Sequence, residues 1–208
     1  ATPLGRAGVA VVRVSGPDAF ISLHSLCNDI RIKPRKTMLC DLYTQEGLHL
    51  DKALVLPFKG PHSFTGEDVV ELHLHGSIAV IQKTLETLSK ITNFRQALPG
   101  EFTRRAFSNE KLDLAEIEGL ADLIEAETEA QRVQALKVLS GKLGERAQEW
   151  LSMIIKAMAL IEVTIDFADE DVPTDVSEDV KSILTNIIND LSFESVSYTH
   201  LRAHETNV

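Results

Sequence analysis

One short stretch of the chain, residues 68–75 (DVVELHLH), carries side chains that could do chemistry. Its apolar and polar residues alternate strictly, which predicts a β-strand whose successive side chains point to opposite faces. Glu71, His73 and His75 then share one face. Carboxylate and imidazole groups aligned in this way are the ligand types of a zinc-like metal site.

A single carboxylate on a half-buried strand has two other uses. Glu71 could accept two parallel hydrogen bonds from a planar donor edge, because charge-assisted bidentate pairs are strong. Guanidinium is one such edge, and the amino-pyrimidinone edge of a pterin is another. Glu71 could also be a surface carboxylate paired with a neighbouring base. The residues alone leave these alternatives and the metal site open.

Basic residues that could bind an anion or a carbonyl occur in two places. Arg13 interrupts the apolar run 9–14, so a buried guanidinium there needs a partner, unless the strand lies at a sheet edge and the side chain reaches solvent. Arg104, Arg105 and Lys111 surround and follow a Pro-Gly-Glu-Phe turn. We interpret these three as exposed bases on a helix surface.

The first half of the chain predicts the elements that must position these residues. Its punctuation by glycine and proline, with short β-branched runs between, is typical of an α/β domain. Ser15 is expected to cap a helix, and residues 45–47 are expected to form a hairpin turn. A short extended segment is expected to end at residues 99–100. Strands are expected over 8–15, 37–43, 52–57 and 68–75, and helices over 17–26 and 77–91.

The second half changes character, because apolar residues recur at helical spacing and proline is absent from 112 to 166. It predicts three helices of a bundle, each with an acidic outer face. Residues 114–208 carry a net charge of −12, whereas residues 1–113 carry +2. We therefore expect an α/β domain over 1–113, a partial helical domain over 114–194 and a non-native or disordered tail over 195–208.

The composition excludes several classes of protein. Of the 208 residues, 44% are apolar and 25% are charged, which is ordinary for a globular chain. No apolar run approaches the ~20 residues that span a bilayer. Cys27 and Cys40 are too few for a disulfide framework and fit a reducing compartment. The net charge of −10 argues weakly against general, charge-driven binding of nucleic acid.

The chain also carries a long, ordered set of motifs. They are ATPLGRAG (1–8), VRVSG (12–16), SFTGED (63–68), VEL (70–72), HG (75–76), PGEFTRRAF (99–107), Asn109, KLDL (111–114), EGLADLI (118–124) and IDF (165–167). Over roughly residues 1–191 these motifs resemble the N-terminal part of the MnmE/TrmE family of tRNA-modification GTPases.

The resemblance implies an α+β fold, with a mixed α/β domain similar to the tetrahydrofolate-binding domain of the glycine-cleavage T-protein, followed by part of a helical bundle. In the family this domain homodimerises and binds 5-formyl- or 5,10-methylene-tetrahydrofolate. Carried over, the family's folate contacts fall on Arg13, Glu71 and Lys111. Glu71 suits the pterin N3–H and 2-amino donors, and the two cations suit a carbonyl or the glutamate carboxylates. No catalytic or metal-binding residue is implied.

The family's GTPase domain, which uses GTP, Mg²⁺ and K⁺, interrupts the helical domain. This sequence contains no GxxxxGK[ST] loop, so we expect no GTP hydrolysis by this chain itself. The resemblance implies that the full protein works with an FAD-dependent partner of the MnmG/GidA type. Together they form carboxymethylaminomethyl or aminomethyl groups at C5 of the wobble uridine of tRNA.

Further expectations concern location and assembly. The resemblance implies a cytoplasmic protein, or alternatively one of the mitochondrial matrix, that contacts tRNA through the complete complex and no membrane. An exposed apolar stripe along Ile154, Met158 and Ile161 would be either a liability or an association surface. Two other functions are kept as alternatives, a purely structural dimerisation and scaffold module and a metal-dependent hydrolase that uses Glu71, His73 and His75.

Overall fold

The computed structural model of the chain describes residues 2, 5–28, 31–166 and 176–203, with side chains up to residue 194. The chain is an α+β protein that divides into two compact units, residues 1–112 and 113–208. The first unit contains the sheet, and the second is helical. None of the helices in the described part of the chain is long and apolar enough to cross a membrane.

The first unit is built on a four-stranded sheet in which every neighbouring pair is antiparallel. The strands lie in the order β1-β4-β3-β2, so β1 and β2 are the two edges. The elements are β1 (Ala7–Ser15), α1 (Ile21–Leu26), β2 (Met38–Tyr43), β3 (His49–Phe58), β4 (Val69–Gly76), α2 (Ile78–Ser89) and α3 (Glu101–Ser108).

The two faces of the sheet differ because its side chains alternate. One face is buried against α1 and α2, in a core that includes Leu23 of α1, Leu72 of β4 and Leu88 of α2. The opposite face carries Glu71 and His73, which are half-buried. This second face, which we call the open face, is the one that the alternation of 68–75 predicts to be polar.

Three details of the first unit differ from the sequence-based expectations. Helix α1 begins at Ile21 and not at residue 17, because residues 17–20 form turns. Ser15 does not cap it, since the Ser15 hydroxyl is bonded to Thr65 and Glu67 instead. Helix α3, which starts directly after Gly100, was given no bounds, although Arg104 and Arg105 were interpreted as helix-surface bases.

The second unit consists of α4 (Leu114–Glu125), α5 (Glu129–Leu139), α6 (Lys142–Asp166) and α7 (Ser177–Ala203). The first of the three predicted helices is therefore divided into two, α4 and α5. The division occurs at Thr128, which caps α5. The Thr128 hydroxyl accepts a hydrogen bond from the Gln131 N–H at 3.2 Å, and the Gln131 side chain accepts one from the Thr128 N–H at 2.9 Å.

Helix α7 continues to Ala203 and thus includes nine residues of the segment expected to be a non-native or disordered tail. Residues 204–208 lie outside the described residues. On α6, Ile154, Met158 and Ile161 are all exposed, as the association stripe requires.

Helices α4 and α5 approach closely at Gly119, which gives a testable effect on stability. A Cβ at this position would lie 2.6 Å from the Leu139 nitrogen and 3.1 Å from the Ala135 oxygen. Alanine favours a helix by about 1 kcal/mol over glycine, but it would force two backbones apart. We expect Gly119→Ala to lower the free energy of unfolding by about 1–3 kcal/mol in urea titrations. Glu118→Ala on the exposed side of α4 is the control, with a change within about 0.5 kcal/mol.

Candidate ligand-binding site

Arg13 and Glu71 form an ion pair on the open face of the sheet. They are directly opposite each other in the register of β1 and β4, and Arg13 Nε donates to Glu71 Oε1 at 2.7 Å. The Glu71 side chain is 17% exposed and that of Arg13 43% exposed, as befits an edge strand. Glu71 is thus a carboxylate paired with a neighbouring base, and one of its oxygens keeps capacity for another donor.

The predicted row of a carboxylate and two histidines does not converge. His73 Nε2 lies 3.4 Å from the second oxygen of Glu71, but His75 Nδ1 is 2.6 Å from Asp51 Oδ1. Among the described residues, no group of three or more His, Cys, Asp or Glu side chains could hold a metal ion. The arrangement therefore lends no support to the metal-dependent hydrolase.

Asp51 is the hydrogen-bond partner of His75. Burial acts to raise the pKa of Asp51, but hydrogen bonds from the His75 backbone N–H and side chain and from the Lys52 N–H bring this pKa below its ordinary value. Asp51 therefore remains an anion that fixes the end of β4 to β3 through His75.

Lys111, the third predicted contact, occupies a different position from the Arg13–Glu71 pair. It follows α3 and is exposed, and its Cε would lie 3.2 Å from a Cβ placed on Gly66. Gly66, which lies next to the Lys111 side chain, precedes Glu71 by five residues. The Cα atoms of Gly66 and Glu71 are therefore no more than about 18 Å apart.

A polar network, which the sequence did not indicate, fixes the loop that carries Gly66. Ser15 Oγ donates to Glu67 Oε2 at 2.9 Å and lies 2.6 Å from Thr65 Oγ1. The Asn109 amide donates to the Thr65 carbonyl at 2.6 Å. Since Thr65 is fully buried, this network ties the end of β1 and the turn after α3 to one loop. It thereby positions the backbone next to Lys111.

Arg105 completes this network and corrects an expectation. The sequence predicts an exposed helix-surface base here, but Arg105 is half-buried and bridges Glu67 (Nη1 to Oε2, 2.9 Å) and Glu101 (Nη2 to Oε1, 2.8 Å). Arg104, its neighbour, is exposed as predicted. The only sequence signal for this bridge is the spacing of Glu101 and Arg105, four residues apart on one helix face.

Gly66 offers a test of how this loop positions Lys111. Its φ is +78°, and an added Cβ would meet Asn109 Cβ at 2.9 Å. Gly66→Ala should therefore lower the free energy of unfolding by about 1 kcal/mol for the backbone conformation alone, and by more for the contact. The control is Gly47→Ala, because Gly47 has a φ of +79° and nothing within 4 Å of its added Cβ. Equal losses in the two variants, measured by urea unfolding, would contradict the contact.

The donors and acceptors of the site define what it could hold. Glu71 offers a carboxylate that is anchored by Arg13 at one oxygen, and its other oxygen, 3.4 Å from His73 Nε2, can accept a further hydrogen bond. Arg13 has further N–H donors, and Lys111 has three. A planar group with adjacent N–H donors suits Glu71, while an acidic or carbonyl group suits the cations. The donor set therefore fits a reduced folate, which carries both.

Fold and site together define an α+β protein in which an antiparallel sheet with a polar open face precedes a helical unit. Residues 1–111 match the family model described as "GTP-binding protein TrmE N-terminus", and residues 114–199 match the model described as "MnmE helical domain". The chain therefore belongs to the MnmE/TrmE family of tRNA-modification GTPases.

Curated relatives agree with this assignment. The chain is 56% identical over 197 residues to "tRNA modification GTPase MnmE" of Roseobacter denitrificans, covering 95% of this chain and 46% of the relative. It is 50% identical over 196 residues to the protein of the same name in Dinoroseobacter shibae, covering 94% and 45%. The chain thus spans about half the length of the curated relatives it matches.

Proposed function

We propose that this chain is the part of a tRNA-modification GTPase that binds a tetrahydrofolate derivative, 5-formyl or 5,10-methylene, on the open face of its sheet. The observation that carries this proposal is the pair of Arg13 and Glu71, a partly buried carboxylate anchored on one oxygen. In the proposed complex, Glu71 accepts hydrogen bonds from the pterin N3–H and 2-amino groups. Arg13 and Lys111 then bind carbonyl or glutamate carboxylate oxygens of the same ligand.

Calorimetric titration with 5-formyltetrahydrofolate tests the proposal on the 208-residue chain. We expect one site per protomer and a large loss of affinity when Glu71 is replaced. A folded protein that gives no heat over the full range of ligand concentrations and does not retain the ligand in equilibrium dialysis would refute it.

Homodimerisation is the second part of the proposal. The open face also carries apolar side chains, and Val9, Leu39 and Leu54 are exposed there. Exposed apolar residues gathered on one sheet face are typical of an interaction surface. They also favour the alternative function, a purely structural dimerisation module. A dimer in light scattering together with no folate binding would select that alternative.

The remaining activities belong to the whole protein. We infer that it acts in the cytoplasm with an FAD-dependent MnmG/GidA-type partner, and that together they form aminomethyl-type groups at C5 of the wobble uridine of tRNA. GTP, Mg²⁺ and K⁺ would be bound by a GTPase domain, not by this chain. The exposed stripe of Ile154, Met158 and Ile161 would serve assembly of the helical part of the protein.

A further inference from the structure

His73 is the neighbour of Glu71 along β4 on the open face of the sheet. Its Nε2 atom lies 3.4 Å from Glu71 Oε2, while Arg13 Nε contacts the other oxygen, Oε1. The His73 side chain is 33% exposed, whereas His49 and His75, which also contact carboxylates, are more exposed. Of these three histidines, His73 is therefore the least solvated, and it lies within reach of any group that Glu71 holds.

The contact with Glu71 indicates where the imidazole of His73 carries its proton. A carboxylate only accepts hydrogen bonds, and an unprotonated Nε2 would turn its lone pair towards the negative charge of Glu71. We therefore assign a proton to His73 Nε2. At 3.4 Å the bond to Glu71 is longer than an ordinary N–H···O bond of about 2.7–3.2 Å. The N–H donor of His73 is thus held weakly and is available to a better acceptor.

Glu71 and His73 together present polar atoms in a defined order. Oε1 and Oε2 of Glu71 are acceptors, and the Nε2–H of His73, next to Oε2, is a donor. The complement is a flat edge that carries two donors followed by an acceptor. The 2-amino, N3–H and 4-oxo groups of a pterin have this order. A 2,4-diaminopteridine does not, because it has no hydrogen at N3 and a donor at position 4.

The residues beside these polar groups are apolar. In the register of the sheet, Val11 of β1 and Leu54 of β3 lie opposite to His73, and Leu56 of β3 lies opposite to Glu71. Apolar surroundings with a few fixed polar groups are typical of sites that bind small heterocycles. They also limit the access of water, so a donor on the ligand cannot easily find another partner if it faces the N–H of His73.

We propose that His73 is a specificity-determining residue of the ligand-binding site, and that its Nε2–H donates to the 4-oxo group of the pterin. This inference rests on the proposed function, since Glu71 holds the same ring by its N3–H and 2-amino groups. Arg13 and Lys111 remain for the other carbonyl and carboxylate oxygens. A site built to form a hydrogen bond rejects an analogue that cannot form it. His73 therefore selects 4-oxo over 4-amino pteridines.

Folic acid and aminopterin test this proposal because they differ only at position 4, which carries an oxygen in folic acid and an amino group in aminopterin. In calorimetric titrations of the 208-residue chain, we expect His73→Phe to weaken folic acid and 5-formyltetrahydrofolate by about tenfold. Aminopterin should not be weakened, so the preference for folic acid should fall by the same factor. His73→Leu repeats the test with a smaller side chain in case the phenylalanine variant does not fold.

Two further variants separate ligand contact from a general effect on the sheet. His73→Gln keeps an N–H donor at this position and should retain most of the affinity and of the preference for folic acid. His49→Phe is the matched control, because His49 Nε2 lies 3.3 Å from the Asp41 carboxylate at an exposed position. This control should bind all three ligands as the unaltered chain does.

Each contrary result has a distinct meaning. Equal weakening of folic acid and aminopterin in His73→Phe would overturn the inference, because the change would then act on the shape of the face. Equal losses in His73→Phe and His73→Gln, or an unchanged affinity for 5-formyltetrahydrofolate in His73→Phe, would overturn it as well. If binding depends on Glu71 but not on His73, the proposed function stands and only this inference fails. If the unaltered chain binds none of the three ligands, both fail.

Discussion

Replacing Glu71 by glutamine is expected to weaken binding of 5-formyltetrahydrofolate by about 10- to 100-fold. Glutamine has nearly the same shape, but its amide presents one acceptor and one NH₂ donor where the carboxylate has two acceptors. One donor of the pterin would then face another donor in a half-buried site. Arg13 would also lose the charged partner that fixes its guanidinium. Calorimetric titration of both proteins measures the loss directly.

The control for this change is Glu46→Gln, which removes the same charge from the same unit. Glu46 pairs with Lys90 at 3.3 Å on the exposed surface, away from the open face. The affinity of this variant for the folate should equal that of the unaltered chain. Unchanged affinity in Glu71→Gln itself, with an unchanged thermal midpoint, would mean that the carboxylate does not contact the ligand.

The strand that carries Glu71 could be predicted because its signal is local. Strict alternation over 68–75 requires only neighbouring residues, and β4 is observed at Val69–Gly76 with Glu71 on the face opposite to Leu72. The partner of Glu71 could not be predicted in the same way. Arg13 lies opposite to it only because β1 pairs with β4 in one particular register, and local sequence does not specify that pairing across a separation of 58 positions.

The polar network around Thr65 escaped prediction for a related reason. Ser15, Glu67 and Arg105 come from a strand end, a loop and a helix that lie far apart in the chain. Their types are common at protein surfaces, so nothing in composition or spacing distinguishes them. Such a network becomes visible only when three-dimensional packing brings its members together. The motif SFTGED pointed to the loop by resemblance, not to the bonds that hold it.

The helical half shows how one polar residue can break a periodic pattern. Thr128 falls at a position that continues the apolar stripe of α4, so the spacing places it in that stripe. Its hydroxyl and N–H are instead used in a capping box with Gln131, which begins a new helix. Helical spacing therefore predicted the type of structure correctly but not the boundary, since a cap competes with propagation at a single residue.

Net charge was a poor guide to where an anion could bind. The whole chain carries −10, which argued against nucleic acid, but the acidic residues are concentrated in the helical unit. Screening limits the attraction between exposed charges to about 10 Å at ordinary salt. The total charge, averaged over both units, therefore does not describe the surroundings of an individual cation such as Arg13.

Replacing Glu101 by glutamine is expected to cause a large loss of stability in the first unit. The Glu101 carboxylate is 4% exposed and accepts two bonds from Arg95, at 2.6 and 2.8 Å, and another from the Leu98 N–H at 2.8 Å. Arg105 donates to it as well and connects it to Glu67. With glutamine at this position, the Arg95 and Arg105 guanidinium groups would face a neutral amide in place of a carboxylate. The midpoint of thermal unfolding should therefore fall by several degrees.

The loss should depend on pH in a defined direction. Hydrogen bonds from Arg95, from the Leu98 N–H and from Arg105 hold the pKa of Glu101 well below its ordinary value of 4.5. A carboxyl whose pKa is lower in the folded state stabilises the fold fully above its unfolded-state pKa, and this contribution is lost as the pH falls towards the folded-state pKa. The difference in urea midpoint between the unaltered chain and Glu101→Gln should therefore be largest near neutral pH and shrink below about pH 4.5.

Glu86→Gln is the matched control for this profile. The pKa of Glu86 is also lowered, by hydrogen bonds from Lys83 and Lys90, but its side chain is exposed and water screens both pairs. This variant should unfold close to the unaltered chain at every pH. A pH-independent difference for Glu101→Gln would contradict the ionised network, because it would trace the loss to packing around residue 101. A difference that shrinks on acidification would instead identify the charge on Glu101 as what holds α3 against the loop beside Lys111.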